Sequence, residues 1–276
     1  MLAGWVLLWY HPMKHKYDLT YISLGAGVQS SALLVCSALG LHGVPKADVA
    51  IFADTGVEPG YVYDYLEILK EWSPVPIVVV SKGNLTEWTV DRQKNGKRFV
   101  TVPLFTEGGG MLRRQCTREF KIDPIYKEVR RQLGLKPRQR FKGLVRAMLG
   151  ISIDEVQRMK PSWVAWIDNA FPLVDAGLAR GDCLKICEAN GLPKPKRSSC
   201  VYCPYHGDDI WRDMKQNHPE DWAKAVEFDE AVRDMTMRGR DQPAFVHRSL
   251  VPLGDVDLNE DQCELFGEEC DGICGV

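Results

Sequence analysis

The sequence predicts an α/β protein: a parallel sheet with helices on both faces. Three observations carry this. Short apolar runs alternate with stretches of helical periodicity, the signature of βαβ units. The run Pro76-Ile-Val-Val-Val80 is apolar throughout, as in a strand covered on both faces. The segment Tyr21-Ile-Ser-Leu-Gly-Ala-Gly-Val-Gln-Ser-Ser-Ala-Leu-Leu34 reads as a buried strand, a tight glycine turn and the start of a helix.

Taken in order, a strand is expected over 18–24 and a helix over 28–40, stopping at Gly40. Val49 to Phe52 is a second strand with a polar end, Ala53-Asp54-Thr55-Gly56. Tyr61 to Trp72 is helical and stops before Pro74; Pro76 to Val80 is the third strand. Residues 82–115 are polar and glycine-rich, a long loop of the kind that carries function. A helix follows over 123–133, and Phe141 to Ile151 is the fourth strand. Ser152 then caps a helix beginning at Ile153, whose first turn holds Asp154 and Glu155. Beyond about residue 165 the chain becomes proline- and cysteine-bearing, with helices over 181–190, 207–217 and 219–235 and an acidic, irregular end. The organisation expected is an N-terminal extension (1–17), a nucleotide-binding domain (18–165) and a cysteine-rich metal or substrate region with a C-terminal tail (166–276).

The 276 residues are 45% hydrophobic and 26% charged, with a formal net charge of −2. That is a globular composition without a global polycation signature, so nucleic-acid binding has to come from a local patch. The apolar run Leu2–Trp9 is too short to span a bilayer and lacks the basic flank of a signal peptide. Met13, just before the first convincing strand, is the expected true start. The reading is a cytoplasmic protein with no membrane partner. Nine cysteines, an odd number without an export signal, argue against a disulfide framework and for metal ligation or thiol chemistry.

The glycine turn is the first candidate site. Backbone N–H groups at Gly25, Gly27 and the following helix start converge on one point of partial positive charge, a phosphate position. Ser23, Ser30 and Ser31 add hydroxyls. No lysine follows as in a P-loop, and Ser30 stands where a dinucleotide fingerprint has its third glycine; the plain alternative is an ordinary strand–turn–helix connection. Asp54, at a strand end, suits an adenine amino group, a ribose hydroxyl or a phosphate-bound Mg²⁺, or simply a turn cap. Arg113, Arg114, Arg118 and Lys121 surround Cys116 in sequence. Their charge favours a thiolate there, as nucleophile or ligand, and suits phosphate or sulfate; a solvated basic loop is the alternative. Cys200-Val-Tyr-Cys203-Pro204 reads as a metal knuckle or iron–sulfur ligand pair, with a structural Zn²⁺ as the rival to [4Fe–4S]. Glu155 and Arg158 read as a surface ion pair, and His247 beside Arg248 as a packed histidine.

In this order and spacing the segments resemble the phosphoadenosine phosphosulfate reductase-like family of the PP-loop (N-type) ATP pyrophosphatases, in the adenine nucleotide α-hydrolase superfamily. The family's loop reads Ser-Gly-Gly-Lys-Asp-Ser; aligned on Ser30, this chain has Gly25-Ala26-Gly27-Val28-Gln29-Ser30. Val28 and Gln29 replace the lysine and aspartate, so phosphate charge has to come from elsewhere, with Arg113, Arg114 and Arg118 the sequence candidates. The reductases carry a similar Asp-Thr-Gly at the position of Asp54 and a cysteine–basic–proline segment like Cys116…Lys121…Pro124. The resemblance covers residues 18–205, with a weaker echo in the tail Glu269-Cys270-Asp-Gly-Ile-Cys274.

The resemblance implies an adenine nucleotide α-hydrolase-like fold and chemistry at an α-phosphate. It also implies a cluster on Cys116, Cys200 and Cys203. The fourth ligand would come from Cys270, Cys274, Cys183, Cys187, His206 or a substrate atom; the open iron position of related thiolases carries an extra sulfur. Cys116, or a tail thiol of Cys270 or Cys274, is the implied nucleophile. Three functions follow as expectations. One is ATP-dependent adenylation coupled to sulfur transfer onto a nucleic acid or nucleobase, served by a sulfur donor protein. Another is reduction of an adenine sulfonucleotide with a thiol reductant protein. The third is a non-catalytic nucleotide- and metal-binding component of a modification complex.

Overall fold

A computed structural model describes residues 17–94, 101–108, 110–233 and 242–258. Among the described residues seven strands, β1 (Leu19–Leu24), β2 (Val49–Asp54), β3 (Ile77–Ser81), β4 (Phe105–Thr106), β5 (Val145–Leu149), β6 (Ile167–Ala170) and β7 (Ala244–Phe245), are joined by eight α-helices. These are α1 (Val28–Leu39), α2 (Gly60–Trp72), α3 (Leu85–Lys94), α4 (Asp123–Gln132), α5 (Pro172–Asp175), α6 (Arg180–Ala189), α7 (Asp208–Asn217) and α8 (Pro219–Arg233). The main sheet is five-stranded in the order β3-β2-β1-β5-β6, with all its pairings parallel. β4 and β7 form a separate antiparallel pair.

Alternation along the strands explains the layers. Ile22, Leu24, Ala50, Phe52 and Met148 face one way and pack on α1, α2 and α6. Leu19, Tyr21, Val49, Ile51, Val145 and Ala147 face the other way and pack on Ile125 and Val129 of α4. A period of two in strands apolar on both faces therefore gives the expected α/β fold.

The sheet runs past residue 165, where the sequence changes character: β6 is its fifth strand, and α6 packs on α1. A separate core forms from Leu85, Val102, Leu104 and Phe120 together with Tyr202, Trp211, Phe228 and Val246. It joins the long polar loop to the cysteine-bearing region, and that loop contains α3 and β4. Ile153–Arg158 is a 3-10 turn. Residues 1–16 of the N-terminal extension and residues 259–276 of the tail, with Cys263, Cys270 and Cys274, lie outside the described residues.

The strand order reverses between β1 and β5, because β1 leads to β2 on one side while β5 adds to its other side. Loops diverging there open a crevice at the carboxyl ends of the strands. One contact sets the crevice's depth. A Cβ on Gly150, just beyond β5, would stand 2.7 Å from Ser30 N and 2.9 Å from Gln29 C, so the start of α1 rests directly on the β5 loop. These neighbours are backbone atoms and cannot rotate away. Gly150→Ala is expected to destabilise the protein by about 1–3 kcal/mol in chemical denaturation. Gly254→Ala, whose Cβ would meet only Val226 at 3.6 Å, is the control and is expected to stay within about 0.5 kcal/mol of the parent.

Candidate functional site

The crevice is a cavity of about 260 Å³ lined by the turn after β1, the end of β2, the loop after β5 and the segment Arg197-Ser198-Ser199. The turn is folded on itself. Ser30 Oγ accepts the N–H groups of Gly25 and Gly27, each at 3.2 Å, and Ser31 Oγ donates to Gly27 O at 2.7 Å. Ser30 and Ser31 therefore build the turn. The first-turn amides of α1 have no intrahelical acceptor and give this end of the cavity its positive potential. Gly27 admits the opposite wall, since a Cβ there would stand 2.6 Å from Ser198 Oγ. Ala26 takes the left-handed φ of 54°, a strained position for an L-residue.

Four cations line the cavity: Lys121, Arg158, Arg180 and Arg197. Of the basic segment 113–121, Lys121 alone reaches it. Arg118 is exposed and lies over the Trp163 ring at 4.7 Å. Arg113 is exposed, and Arg114 lies over the Tyr205 ring at 5.2 Å. The charge at the turn comes instead from residues far away in sequence. Arg180, at the start of α6, donates to Gln29 Oε1 at 3.0 Å. Gln29 is 8% exposed, and its Nε2 has no protein partner among the described residues. Glu155 is the one carboxylate lining the cavity among the described residues. It is buried and paired with Arg158 at 2.6 Å, so the pair is an internal one and not the surface pair its helical spacing suggested.

Asp54 is placed as a turn cap. Its Oδ1 accepts from Gly56 N at 2.7 Å and Tyr63 OH at 2.8 Å, and it lies outside the cavity lining. With Glu155 committed to Arg158, the residues at the cavity do not fit a protein-held Mg²⁺.

A second, smaller cavity of about 30 Å³ adjoins the first, and Cys116, Cys200 and Cys203 all line it. Three local structures bring them there. Thr101 O accepts from Cys116 N at 2.9 Å, tethering the loop. A π-helical turn, Thr117–Ile122, follows and sets Lys121 between the cavities; such turns are frequent at functional sites. The Cys200–Cys203 knuckle closes through Cys203 N to Cys200 O at 3.0 Å and is held to the β2 loop by Val201 N to Val57 O at 2.9 Å.

The network also contains a carboxylate whose role the sequence did not signal. Glu58 Oε1 is buried, 3.3 Å from Lys121 Nζ, and accepts from Thr55 Oγ1 at 3.0 Å and the Cys200 thiol at 3.8 Å. Burial, and then the Glu58 charge, push the Cys200 thiol up, while Lys121 opposes them.

The cysteine donors are soft sulfurs on one cavity wall and fit a cluster or zinc by chemistry. As they stand, no group of three His, Cys, Asp or Glu side chains among the described residues is gathered closely enough to hold a metal ion. Cys183 and Cys187 do not join them. With Cys36 they are buried in the core with α1 and α6, where burial pushes their thiols up to about 12. His206 is also withdrawn, its Nε2 sharing a hydrogen bond with Ser199 Oγ at 2.8 Å.

No family model matches the chain, and no curated protein matches its sequence. Among solved structures the chain is similar to phosphoadenylyl-sulfate (PAPS) reductase from Candida auris in its phosphate complex. Identity is 13% and the TM-score 0.43, over 67% of this chain and 82% of that one. It is also similar to the U34-tRNA thiolase NcsA from Methanococcus maripaludis with its [4Fe-4S] cluster, at 14% identity and a TM-score of 0.41, over 95% and 82% of the respective chains. Both are PP-loop superfamily proteins.

His206 yields a pH prediction. Burial, reinforced by Arg197, drives its imidazole from 6.5 down to about 3. Between these values the unfolded chain takes up a proton that the folded chain refuses, so stability falls as pH drops below about 6.5. His206→Gln is expected to flatten that fall by up to about 1.4 kcal/mol per pH unit, read as the slope of unfolding free energy between pH 6.5 and 4.5.

Proposed function

We propose that the protein is a PP-loop adenine nucleotide enzyme acting at the α-phosphate, most simply an ATP-dependent adenylating enzyme that delivers sulfur to a nucleic acid or nucleobase. The observation that carries this reading is the shared wall: Lys121 and Ser199 line both the phosphate-suited cavity and the three-cysteine cavity. An activated intermediate formed in the first would need to travel very little to meet sulfur at the second.

In the first step an acceptor oxygen bonds to the α-phosphorus, and the bond to the bridging oxygen breaks with loss of pyrophosphate. Helix-start amides, Arg180 and Arg197 would hold the leaving phosphates, and Lys121 would face charge developing on the α-phosphate. In the second step sulfur bonds to the activated carbon and AMP leaves with the oxygen. Cys116, Cys200 and Cys203 would be the ligands of a [4Fe–4S] cluster, which supplies an iron position for the incoming sulfur. The three sulfurs would have to close on it from their present spacing.

The second reading, reduction of an adenine sulfonucleotide, is served by the same two cavities, since the cations that would hold a triphosphate would equally face a sulfate or 3′-phosphate beside the thiols.

One experiment separates these readings. Anaerobically purified protein is supplied with ATP, and separately with adenylyl sulfate and its 3′-phosphate form. Pyrophosphate and AMP from ATP support adenylation, and sulfite release supports reduction. Binding of nucleotide without turnover of any of them, in the presence of bulk nucleic acid and sulfide, would leave a binding component instead. Arg180→Gln is expected to weaken ATP binding about ten- to hundred-fold, the size of a charge-assisted hydrogen bond of about 1.5–3 kcal/mol, by titration calorimetry. Iron and acid-labile sulfide should be present in the parent and largely lost in Cys200→Ser. Zinc in their place would set the cluster aside.

A further inference from the structure

The segment 113–146 carries twelve Lys or Arg and three Asp or Glu, in a chain whose net charge is −2. It forms the approach to the thiol cavity, the helix α4 and the turn into β5, and α4 packs on the sheet face opposite α1. Its apolar side is used against the sheet, so the charge is left facing outward; Lys136, Arg138, Arg140 and Lys142 are all exposed.

A row of rings runs along this same surface. Trp163 is 62% exposed and carries the Arg118 guanidinium at 4.7 Å. Tyr126 lies 5.8 Å from Trp163 and 6.5 Å from Trp166, and Phe141 lies 5.6 Å from Trp166. Phe141 is flanked in sequence by Arg140 and Lys142. The row therefore connects Arg118 to the basic turn.

We propose that this face is a nucleic-acid docking surface, with a phosphate backbone along the basic residues of the α4 layer and an unpaired base on Trp163. Four things support it. The charge is local and predominantly positive, whereas the chain as a whole is slightly acidic. The exposed indole has a cation on its ring, the arrangement that stacks a base regardless of its sequence. The surface begins in the segment that bears Cys116 and Lys121, so an acceptor lying on it would reach the two cavities from one side. The indole belongs to the stretch that leaves the nucleotide cavity at Glu155 and Arg158. A protein partner or a second copy would not call for a four-to-one excess of basic over acidic residues beside an exposed indole. The proposal rests on the reading that the acceptor is nucleic acid.

The test uses the full chain and three fluorescein-labelled probes: an RNA hairpin with a single-stranded loop, the DNA hairpin of the same sequence, and a blunt duplex without unpaired bases. Fluorescence anisotropy is followed from 50 to 200 mM salt. Both hairpins, or one of them, should bind with steep salt dependence and at least ten-fold more tightly than the duplex; the RNA and DNA arms identify the polymer. Trp163→Ala should weaken hairpin binding roughly ten-fold. The double change Arg140→Glu and Lys142→Glu should make the log–log salt slope shallower by roughly 1.5, for two phosphate contacts at about 0.7 each. Thermal melts of both variants should match the parent.

Absence of binding to every probe at 50 mM salt would overturn the proposal, as would variants that bind like the parent. A dimer seen by sedimentation and lost in Trp163→Ala, with no nucleic-acid binding, would assign the face to a second copy and also overturn it. Pyrophosphate release from ATP, measured on the same samples, keeps the two readings apart. Hairpin binding without ATP turnover retains the surface and rejects the adenylation reading; ATP turnover on a small acceptor without hairpin binding does the reverse.

Discussion

The site depends on one close approach. The start of α1 at Gln29 and Ser30 rests on Gly150, where backbone atoms leave no room for a Cβ, and Gly27 of the turn faces Ser198 Oγ, 2.6 Å from where a Cβ would stand. This puts the amino end of α1 at the bottom of a crevice with walls from three distant parts of the chain. The turn's hydroxyl is spent inward, Ser30 binding Gly25 and Gly27. What it offers a ligand is therefore backbone potential, not side-chain charge. The left-handed Ala26 shows that the backbone shape is enforced by its surroundings, since alanine gains nothing from that conformation on its own.

The turn has no lysine, and the positive side chains at the cavity come from elsewhere in the chain. Arg180 is fixed to Gln29, so the turn's Gln29 acts as an acceptor that orients a guanidinium. Arg158 is tied to buried Glu155, and Lys121 to buried Glu58. Pairing a cation with a buried carboxylate restricts its motion and leaves its remaining donors for a ligand. The same Lys121–Glu58 pair reaches the Cys200 thiol, which is how the two cavities come to share electrostatics as well as a wall.

The cysteines divide into groups that sequence position does not separate. Cys36, Cys183 and Cys187 are packing residues, and their raised thiols are the consequence of burial without a cation nearby. Cys116, Cys200 and Cys203 lie together because three local devices meet: the Thr101 tether, the knuckle turn and the bond from Val201 to Val57. The second core, made of the long loop and the cysteine-bearing region, is what allows those devices to meet.

The α/β class, the first three strands with their helices and the strand–glycine turn–helix are legible from residue pattern alone, and the grouping of Cys116 with the Cys200 knuckle from the family resemblance. Each is set by local rules: strand alternation, glycine at a turn, and the spacing of soft donors. The sources of charge were not legible. Arg158 has the spacing of a surface pair with Glu155, and nothing in the sequence singles out Arg180, Arg197 or Glu58. Position along the chain favours Arg113, Arg114 and Arg118, which lie near Cys116. Proximity along the chain says nothing about which side chains cross a crevice, and that is decided by the reversal of strand order between β1 and β5. The sequence by itself determined the elements and the chemistry available to them. The tertiary structure decided which charges face the turn, because only packing brings residues 29, 121, 158, 180 and 197 to one cavity.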